Sequence, residues 1–278
     1  MKKLILFAFT FIAINFCATA QEKIMKVLAI GNSFSEDALE NYLFDLAKAD
    51  GQKIIIGNMY IGGAPIELHV KNSRGNKADY SYRKITNNHK ITTNKISIKQ
   101  AIADEDWDYI SLQQASPYSG QYNVIMKDLP ELISYVQSLK PSHTKLIYHQ
   151  TWAYQHNSTH KGFANYENKQ SIMYTSIIDA TKKISKIKDI DMVVPAGTAI
   201  QNARTSSLGD NFTRDGYHLE LNYGRFTAAC TWYEKLFKTD VRKNSFKPEK
   251  VTEKQAQIAK QAAHKAVKKP FKISKVNL

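Results

Sequence analysis

The fold is decided by residues 25–37, MKVLAIGNSFSED, in which an apolar run leads directly into a glycine and then into residues that start helices. The run Val27–Ile30 has the length and apolar character of a buried strand. Gly31 permits a tight turn, and the serines and acids after it are typical of a helix N-terminus. The stretch therefore predicts a strand, a turn and a helix, with Ser33 at the carboxyl end of the strand.

Short apolar runs and helix-length amphipathic segments go on alternating along the chain. Strands are predicted at Met25–Ile30, Ile54–Tyr60, Tyr109–Leu112, Leu146–His149 and Met192–Val194. Helices are predicted at Ala38–Ala49, Ile66–Lys71, Tyr122–Leu139, Asn165–Ile184, Tyr223–Phe237 and, in the tail, Val251–Lys268. Strands that alternate with helices form a mainly parallel sheet with helices on both faces. The prediction is an α/β fold, a three-layer α/β/α domain with a five-stranded, mainly parallel sheet.

Two stretches interrupt this alternation. Residues Ala78–Ile98 carry hydrophobic residues on both sides of Asn87-Asn88, which predicts an inserted hairpin or an extended loop. Residues Thr151–Lys161 are polar with interspersed aromatics and predict a long loop after the fourth strand. Such sheets build their binding sites from loops at the carboxyl ends of strands.

Composition excludes several classes of protein. The 278 residues are 43% hydrophobic and include only two cysteines, so a disulfide scaffold, a collagen-like chain and a wholly disordered chain are ruled out. The net charge is +14, but only six of the 39 basic residues are arginine, which nucleic-acid recognition prefers. A lysine-rich solvated surface is therefore favoured over nucleic-acid binding, with a polyanionic substrate or cell surface as the alternative.

The N-terminus predicts a signal peptide over residues 1–20. A cationic start precedes the apolar run Leu4–Phe16, and small residues at Ala18 and Ala20 fit cleavage by signal peptidase. The protein is thus expected to be exported, to the periplasm or the medium, with residues 21–278 forming a single domain.

Other interpretations of this segment are less favoured. The apolar run is shorter than the ~20 residues that cross a bilayer, which argues against a membrane anchor, and no stable membrane span is expected in the mature chain. A lipidated Cys17 is disfavoured because bulky Phe16 precedes it. Cleavage leaves Cys230 as the single cysteine, in an apolar helical stretch where a core position is favoured over a nucleophile.

Ser33 is a candidate nucleophile. The helix that follows Gly31 directs its N-terminal amides, and the positive end of its dipole, toward any group that approaches this serine. Helix capping is an equally good interpretation, since Ser33 or Ser35 followed by Glu36 and Asp37 has the composition of a capped first turn.

A second polar motif lies far downstream, where Asp215 and His218 are three residues apart. This spacing lets the carboxylate hold the imidazole Nδ1–H while Nε2 faces Ser33. A serine hydroxyl is a poor nucleophile and needs such an oriented base. By itself, the short motif is equally compatible with a surface loop in which neither residue has a role.

Together the two motifs resemble the SGNH, or GDSL-type, hydrolase superfamily over Lys26–Phe237. More closely, the chain is similar to a branch of exported SGNH proteins from polysaccharide-degrading bacteria. The matching segments are Ile30–Ser35, Trp107–Gln113, Tyr148–Tyr154 and Thr213–Leu219. The resemblance implies the flavodoxin-like SGNH hydrolase fold and a catalytic triad of Ser33, His218 and Asp215.

The resemblance also implies an oxyanion hole. The superfamily places a glycine after the second strand, here Gly62 or Gly63, and an amide side chain after the third, here Gln113 with Gln114 as the substitute. The backbone amide of Ser33 is the remaining donor. The usual Gly-x-Asn-Asp block is absent, so which side-chain amide donates stays open.

The implied reaction is transfer of an acyl group from an ester to water, without metal or organic cofactor. Expected to face the substrate are His149, Gln150, Trp152 and Tyr154 after the fourth strand, with Asn32 and Gln114 as further candidates. Aromatic and amide groups stack on and hydrogen-bond to sugars, which favours an O-acetyl ester of an oligo- or polysaccharide. For His149 and Trp152, packing under the loop is the alternative.

Other functions are kept as alternatives. The chain could be an inactive SGNH domain that binds glycans, although the presence of all three triad residues argues against it. An O-acyltransferase would use the same triad, and product analysis separates it from an esterase. A zinc site at His149, His156 and His160 is disfavoured because residues 157–159 are poor helix formers.

Overall fold

The computed structural model describes residues 24–87 and 89–278, so the predicted signal peptide and Cys17 lie outside the described residues. The described strands are β1 Ile24–Gly31, β2 Lys53–Tyr60, β3 Tyr80–Thr86, β4 His89–Ile96, β5 Tyr109–Leu112, β6 Lys145–His149 and β7 Met192–Val194. The described α-helices are α1 Ser33–Leu39, α2 Leu43–Ala49, α3 Ile66–Arg74, α4 Ile98–Asp104, α5 Tyr122–Leu139, α6 Gln170–Ile184, α7 Ala196–Ala203, α8 Tyr223–Phe237 and α9 Glu253–Lys268.

The strands form one sheet in the order β4-β3-β2-β1-β5-β6-β7. Strands β2, β1, β5, β6 and β7 are parallel, which confirms the predicted mainly parallel α/β fold. The predicted count of five strands is too low, because the hairpin expected within Ala78–Ile98 extends the sheet as the antiparallel pair β3 and β4. Strand β4 is exposed along nearly its whole length, so its sequence lacks the apolar run of a core strand.

Strand β1 is buried on both faces. Its side chains alternate, so Val27 and Ala29 enter one hydrophobic core while Leu28 and Ile30 enter the other. Helices α1, α2, α7, α8 and α9 pack around the first core, and α3, α4 and α5 around the second. This arrangement explains why the strand is apolar at every position from Val27 to Ile30.

Helix α8 crosses the first core, and Cys230 within it is fully buried, as predicted. Burial raises the pKa of its thiol, so the residue behaves as a core hydrophobe. Among the helices of residues 24–87 and 89–278, none is long and apolar enough to cross a membrane.

Two of the predicted helices differ most from the observed boundaries. The helix predicted over Ala38–Ala49 is two helices, α1 and α2, separated by a short turn. The helix predicted from Asn165 begins at Gln170, because Glu167 and Asn168 adopt left-handed backbone conformations (φ 54° and 53°) that no α-helix contains.

Two buried histidines should make the fold sensitive to acid. Burial lowers the pKa of His69 to about 4 and that of His149 to about 3, so both stay neutral in the folded chain. Below the ordinary histidine pKa, both histidines become protonated in the unfolded chain but stay neutral in the folded chain. With respect to these two histidines, the free energy of unfolding is therefore highest above about pH 6.5. It decreases as the pH falls toward 4, by roughly 2 kcal/mol per histidine at pH 5.

Urea unfolding of the wild type and His69→Gln at pH 7 and pH 5 tests this expectation. The loss of stability between the two pH values should be smaller in the variant by roughly 2 kcal/mol. An unchanged difference would show that His69 is protonated in the folded state.

Candidate active site

Ser33 lies at the carboxyl end of β1, where the chain connections lead to opposite sides of the sheet. Strand β1 pairs with β2 on one side and β5 on the other, which makes its carboxyl end a topological switch point. Asn32 caps helix α1, its Oδ1 accepting the Phe34 N–H at 3.0 Å. Neither Ser33 nor Ser35 is therefore the cap, and Ser33 is the first helical residue.

The structure brings the three predicted triad residues into one hydrogen-bonded chain. His218 Nε2 lies 2.9 Å from Ser33 Oγ, and His218 Nδ1 lies 2.6 Å from Asp215 Oδ2. Burial raises the pKa of the Asp215 carboxyl, but hydrogen bonds from the His218 ring and from the His218 and Tyr217 amides outweigh it, and the pKa is lowered overall. The carboxyl thus stays ionised and holds the proton on Nδ1.

A glycine turn allows the acid and the histidine to meet. Gly216, between them, has φ +88°, a conformation that a side chain disfavours. A Cβ there would also lie 2.9 Å from Ser158 Oγ, and the Gly216 carbonyl accepts the Gln155 N–H at 2.8 Å. The turn is thereby tied to the loop that follows β6.

Asp37 fastens this turn to the helix that carries Ser33. The buried carboxylate accepts the Leu219 N–H at 2.8 Å and forms ion pairs with Arg214 at 3.0 Å and Arg225 at 2.7 Å. Because Asp37 lies one turn after Ser33 in α1, it fixes the two ends of the hydrogen-bonded chain relative to each other. Sequence reasoning treated this aspartate only as an acid of the first helical turn.

Trp152 was expected to contact substrate, but it is fully buried behind the site. Its ring stacks on Phe34 with centroids 4.2 Å apart, and its Nε1–H donates to the Tyr217 carbonyl at 2.7 Å. It therefore supports the neighbours of Ser33 and His218, and the packing alternative is the correct one.

The structure also corrects the role expected for Gln113. Asn32 Oδ1 accepts the Phe34 N–H, and Asn32 Nδ2 donates to the Ala64 carbonyl at 3.0 Å, which fixes the orientation of this amide. The Gln113 atom 2.7 Å from that Oδ1 must be the nitrogen. Gln113 Oε1 then faces His149 Nδ1 at 2.9 Å, so His149 carries its proton on Nδ1. Gln113 is a buried bridge beneath Ser33 and does not line the cleft described below.

Gln113→Ala is expected to lower the free energy of unfolding by about 2–4 kcal/mol. It removes one donor from buried Asn32 and the acceptor of the His149 N–H, and an unsatisfied buried group costs about 1–3 kcal/mol. Urea unfolding measures the loss. Gln52→Ala, at an exposed position, is the control and should change stability by less than about 0.5 kcal/mol. A loss below about 1 kcal/mol in Gln113→Ala would contradict the bridging role.

Three other residues expected at the substrate are buried and have internal partners. Gln114 Oε1 accepts the Ile66 N–H at the start of α3, and Gln150 Oε1 accepts the Thr198 N–H in α7. The Tyr154 hydroxyl bonds to Ser116 at 2.7 Å. These side chains follow strand ends, as predicted, but point into the protein and fix neighbouring helices and loops.

A cleft of about 330 Å³ opens above Ser33 and His218. Gly62 and Gly63 line it, and neither amide donates a hydrogen bond to another described residue. Asn32 also contributes to the wall. Sequence reasoning did not assign three further lining residues to the cleft, because no spacing rule gives their side chains a chemical role: Tyr60, His160 and Tyr217.

His160 presents a hydrogen-bond donor to this cleft. Its Nδ1 accepts the Gly162 N–H at 3.0 Å, so the neutral ring carries its proton on Nε2. The Tyr154 hydroxyl lies 3.2 Å from the same Nδ1 and the Tyr217 ring packs on the imidazole. Burial and the nearby His218 lower the pKa of His160, although Asp215 opposes them, and the neutral form is favoured.

Neither a larger cavity nor a possible metal cluster competes with this site. A cavity of about 740 Å³ beside α9 contains no histidine among its lining residues. Within the described chain, ligand atoms of Glu234, Asp240 and His264 lie within 4.8 Å of one another. Asp240 is already paired with Arg242 at 2.6 Å and His264 with Glu234 at 2.9 Å, so each group of the cluster already has a partner within the protein. His149, His156 and His160, the disfavoured zinc set, each bond to a different partner.

Residues 26–266 match the family model described as "Domain of unknown function (DUF4886)". The crystal structure of a DUF4886 family protein from Bacteroides uniformis ATCC 8492 is 50% identical, covers 91% of this chain and 98% of its own, and superposes with a TM-score of 0.90. A catalytic mutant of an acetylxylan esterase from Geobacillus stearothermophilus is 12% identical over 78% of this chain and 96% of its own, with a TM-score of 0.52, a likeness of fold alone. No curated protein matches the chain.

Proposed function

The chain belongs to the DUF4886 family and has the SGNH hydrolase fold, and we propose that it is an exported serine esterase that removes O-acetyl groups from an oligo- or polysaccharide. One observation carries the proposal. The hydrogen-bonded chain from Ser33 through His218 to Asp215 ends at the floor of a cleft whose wall includes the amides of Gly62 and Gly63, which donate to no other described residue.

The reaction follows from this arrangement. Ser33 Oγ attacks the ester carbonyl carbon while its proton passes to His218 Nε2, and Asp215 stabilises the imidazolium that forms. The oxyanion accepts hydrogen bonds from the amides of Ser33 and of Gly62 or Gly63. The C–O bond to the alcohol then breaks, the alcohol takes the proton from Nε2, and an acyl group stays on Ser33. Water repeats the sequence to release acetate, and no cofactor takes part.

The lining of the cleft favours a sugar ester over a lipid ester. Tyr60, Ser116, His160 and Tyr217 present polar groups or aromatic rings, and the purely apolar side chains beside them are Phe34, Ala115 and Pro117. A fatty acyl chain would need an extended apolar channel. The preference for a sugar ester therefore rests on these residues, because His149, Gln150, Trp152 and Tyr154 are buried. Export is proposed from the N-terminal sequence alone.

The function is tested by measuring acetate release from an aryl acetate and from acetylated plant polysaccharides, with analysis of the products. Free acetate at a rate that depends on Ser33 supports the esterase. Transfer of acetyl groups to an added sugar in place of water would favour the acyltransferase, and binding without any turnover would favour the glycan-binding domain.

A further inference from the structure

A second cavity adjoins the cleft. It has a volume of about 370 Å³ and lies between the end of β2 and the β3–β4 hairpin. Tyr60 and Gly62 line both cavities, so the two cavities adjoin at these residues. Each volume falls within the range of roughly 300–1,000 Å³ that is typical of small-molecule sites.

The Tyr60 side chain lies where the two cavities adjoin, and its ring is held in place. The Arg83 guanidinium lies 3.7 Å above the centre of its ring, and ion pairs to Glu36 at 3.1 Å and Glu40 at 3.3 Å hold that guanidinium in place. A Cβ on Gly62 would lie 3.5 Å from the Tyr60 hydroxyl, so this hydroxyl adjoins the proposed oxyanion hole. It bonds to no other described residue.

The far wall of the second cavity is polar. Asp79, Ser81, Asn94 and Lys95 line it, and the Ser81 hydroxyl donates to Asn94 Oδ1 at 2.5 Å, which leaves the Asn94 amide nitrogen as a donor. Neither Asp79 nor Lys95 forms an ion pair with another residue of the described chain. The cavity therefore offers both donors and acceptors, as the alternating hydroxyl and ether oxygens of a sugar require.

The backbone at this wall is unusual. Strand pairing joins Tyr80 to Ile96 and Ser81 to Asn94, so Lys95 is an extra, bulged residue. Its φ of +60° is left-handed, a conformation that glycine normally takes at such a bulge. Bulges beside active sites redirect a side chain, and strained residues cluster where ligands bind.

We propose that this second cavity binds the sugar unit next to the acylated one, so that the substrate is a glycan chain and a lone acylated sugar is a poor substitute. The inference rests on the proposed esterase function. The contacts lie away from the reacting carbonyl, so their binding energy should raise kcat/KM for chains while leaving a small ester unaffected.

The test compares partially acetylated xylose, xylobiose and xylotetraose, a matching glucose-to-cellotetraose series, and an aryl acetate. In the wild type, kcat/KM should rise at least about tenfold from the monosaccharide to the tetrasaccharide in one series, equivalent to about 1.4 kcal/mol of binding energy. The double variant Asn94→Ala/Lys95→Gly should abolish most of that rise and keep aryl acetate turnover within about twofold, since glycine relieves the left-handed strain. Thr92→Ala, exposed on β4 outside the cavity, is the control.

Two results would overturn the proposal while leaving the esterase intact: aryl acetate turnover without chain-length dependence in either series, or chain-length dependence that survives in the double variant. Absence of Ser33-dependent turnover on every substrate would reject the esterase instead. In that case, calorimetry with unacetylated xylotetraose and cellotetraose tests directly whether the second cavity binds a glycan. If the double variant binds these glycans at least about tenfold more weakly than the wild type, the second cavity is retained as a glycan site. Equal binding by the two proteins, or no binding, rejects the cavity as a glycan site.

Discussion

Ser33→Ala is expected to lower kcat on an aryl acetate by about 10⁴- to 10⁶-fold, the range seen when the nucleophile of a serine hydrolase triad is removed. No acyl-enzyme forms without Oγ, and only background hydrolysis in the cleft remains. The fold should be unaffected, because among described residues Ser33 Oγ bonds only to His218. Steady-state kinetics measures the loss, and urea unfolding should give a stability within about 1 kcal/mol of the wild type.

A fluorophosphonate probe supplies a second readout that does not depend on the choice of ester. It should add one phosphonyl group to the wild type, with release of fluoride, and none to Ser33→Ala. Ser138→Ala, on the exposed face of α5, is the matched control and should react and turn over like the wild type. Aryl acetate turnover in Ser33→Ala within tenfold of the wild type would remove this serine from the mechanism.

Asp215→Asn is expected to lower kcat by about 10⁴-fold while leaving the fold and KM nearly unchanged. In the wild type, Asp215 Oδ1 accepts the His218 and Tyr217 amides at 2.7 and 3.2 Å. An asparagine oxygen would keep these bonds and would therefore turn its NH₂ group toward His218 Nδ1. The imidazole would then carry its proton on Nε2 and could not accept the proton of Ser33.

The surface offers a matched control for this substitution. Asp106 lies 3.3 Å from His143 in an exposed aspartate–histidine pair, and Asp106→Asn should leave turnover within about twofold of the wild type. A loss of less than tenfold in Asp215→Asn would mean that the tautomer of His218 is set by some other group.

Much of the fold follows from local patterns. The five parallel strands occur where apolar runs predict them, and α8 spans Tyr223–Phe237 as predicted. Strand β4 and the start of α6 were not predictable in the same way. Exposed β4 depends on pairing with β3, and the boundary of α6 is set by two left-handed residues with no glycine to mark them.

The candidate site divides along the same line. Ser33, Asp215 and His218 were identified from sequence because each belongs to a short motif whose chemistry is carried by spacing. Tyr60 and His160 were not, since neither belongs to a motif whose spacing implies a chemical role. Gln113, Gln150 and Trp152 follow strand ends, as predicted. Their side chains were expected to face the substrate but are buried inside the protein.

The sequence by itself determined the positions of the five parallel strands along the chain, the strand–turn–helix unit that presents Ser33 and the aspartate–histidine pair that faces it. These features depend on hydrophobic periodicity and on residues within one turn of each other. Only the tertiary structure decided which polar side chains reach the cleft and which are buried bridges. A polar side chain at a strand end has the same sequence signature in both cases, and its direction is set by hydrogen-bond partners from distant parts of the chain, as Asn32 and His149 orient Gln113.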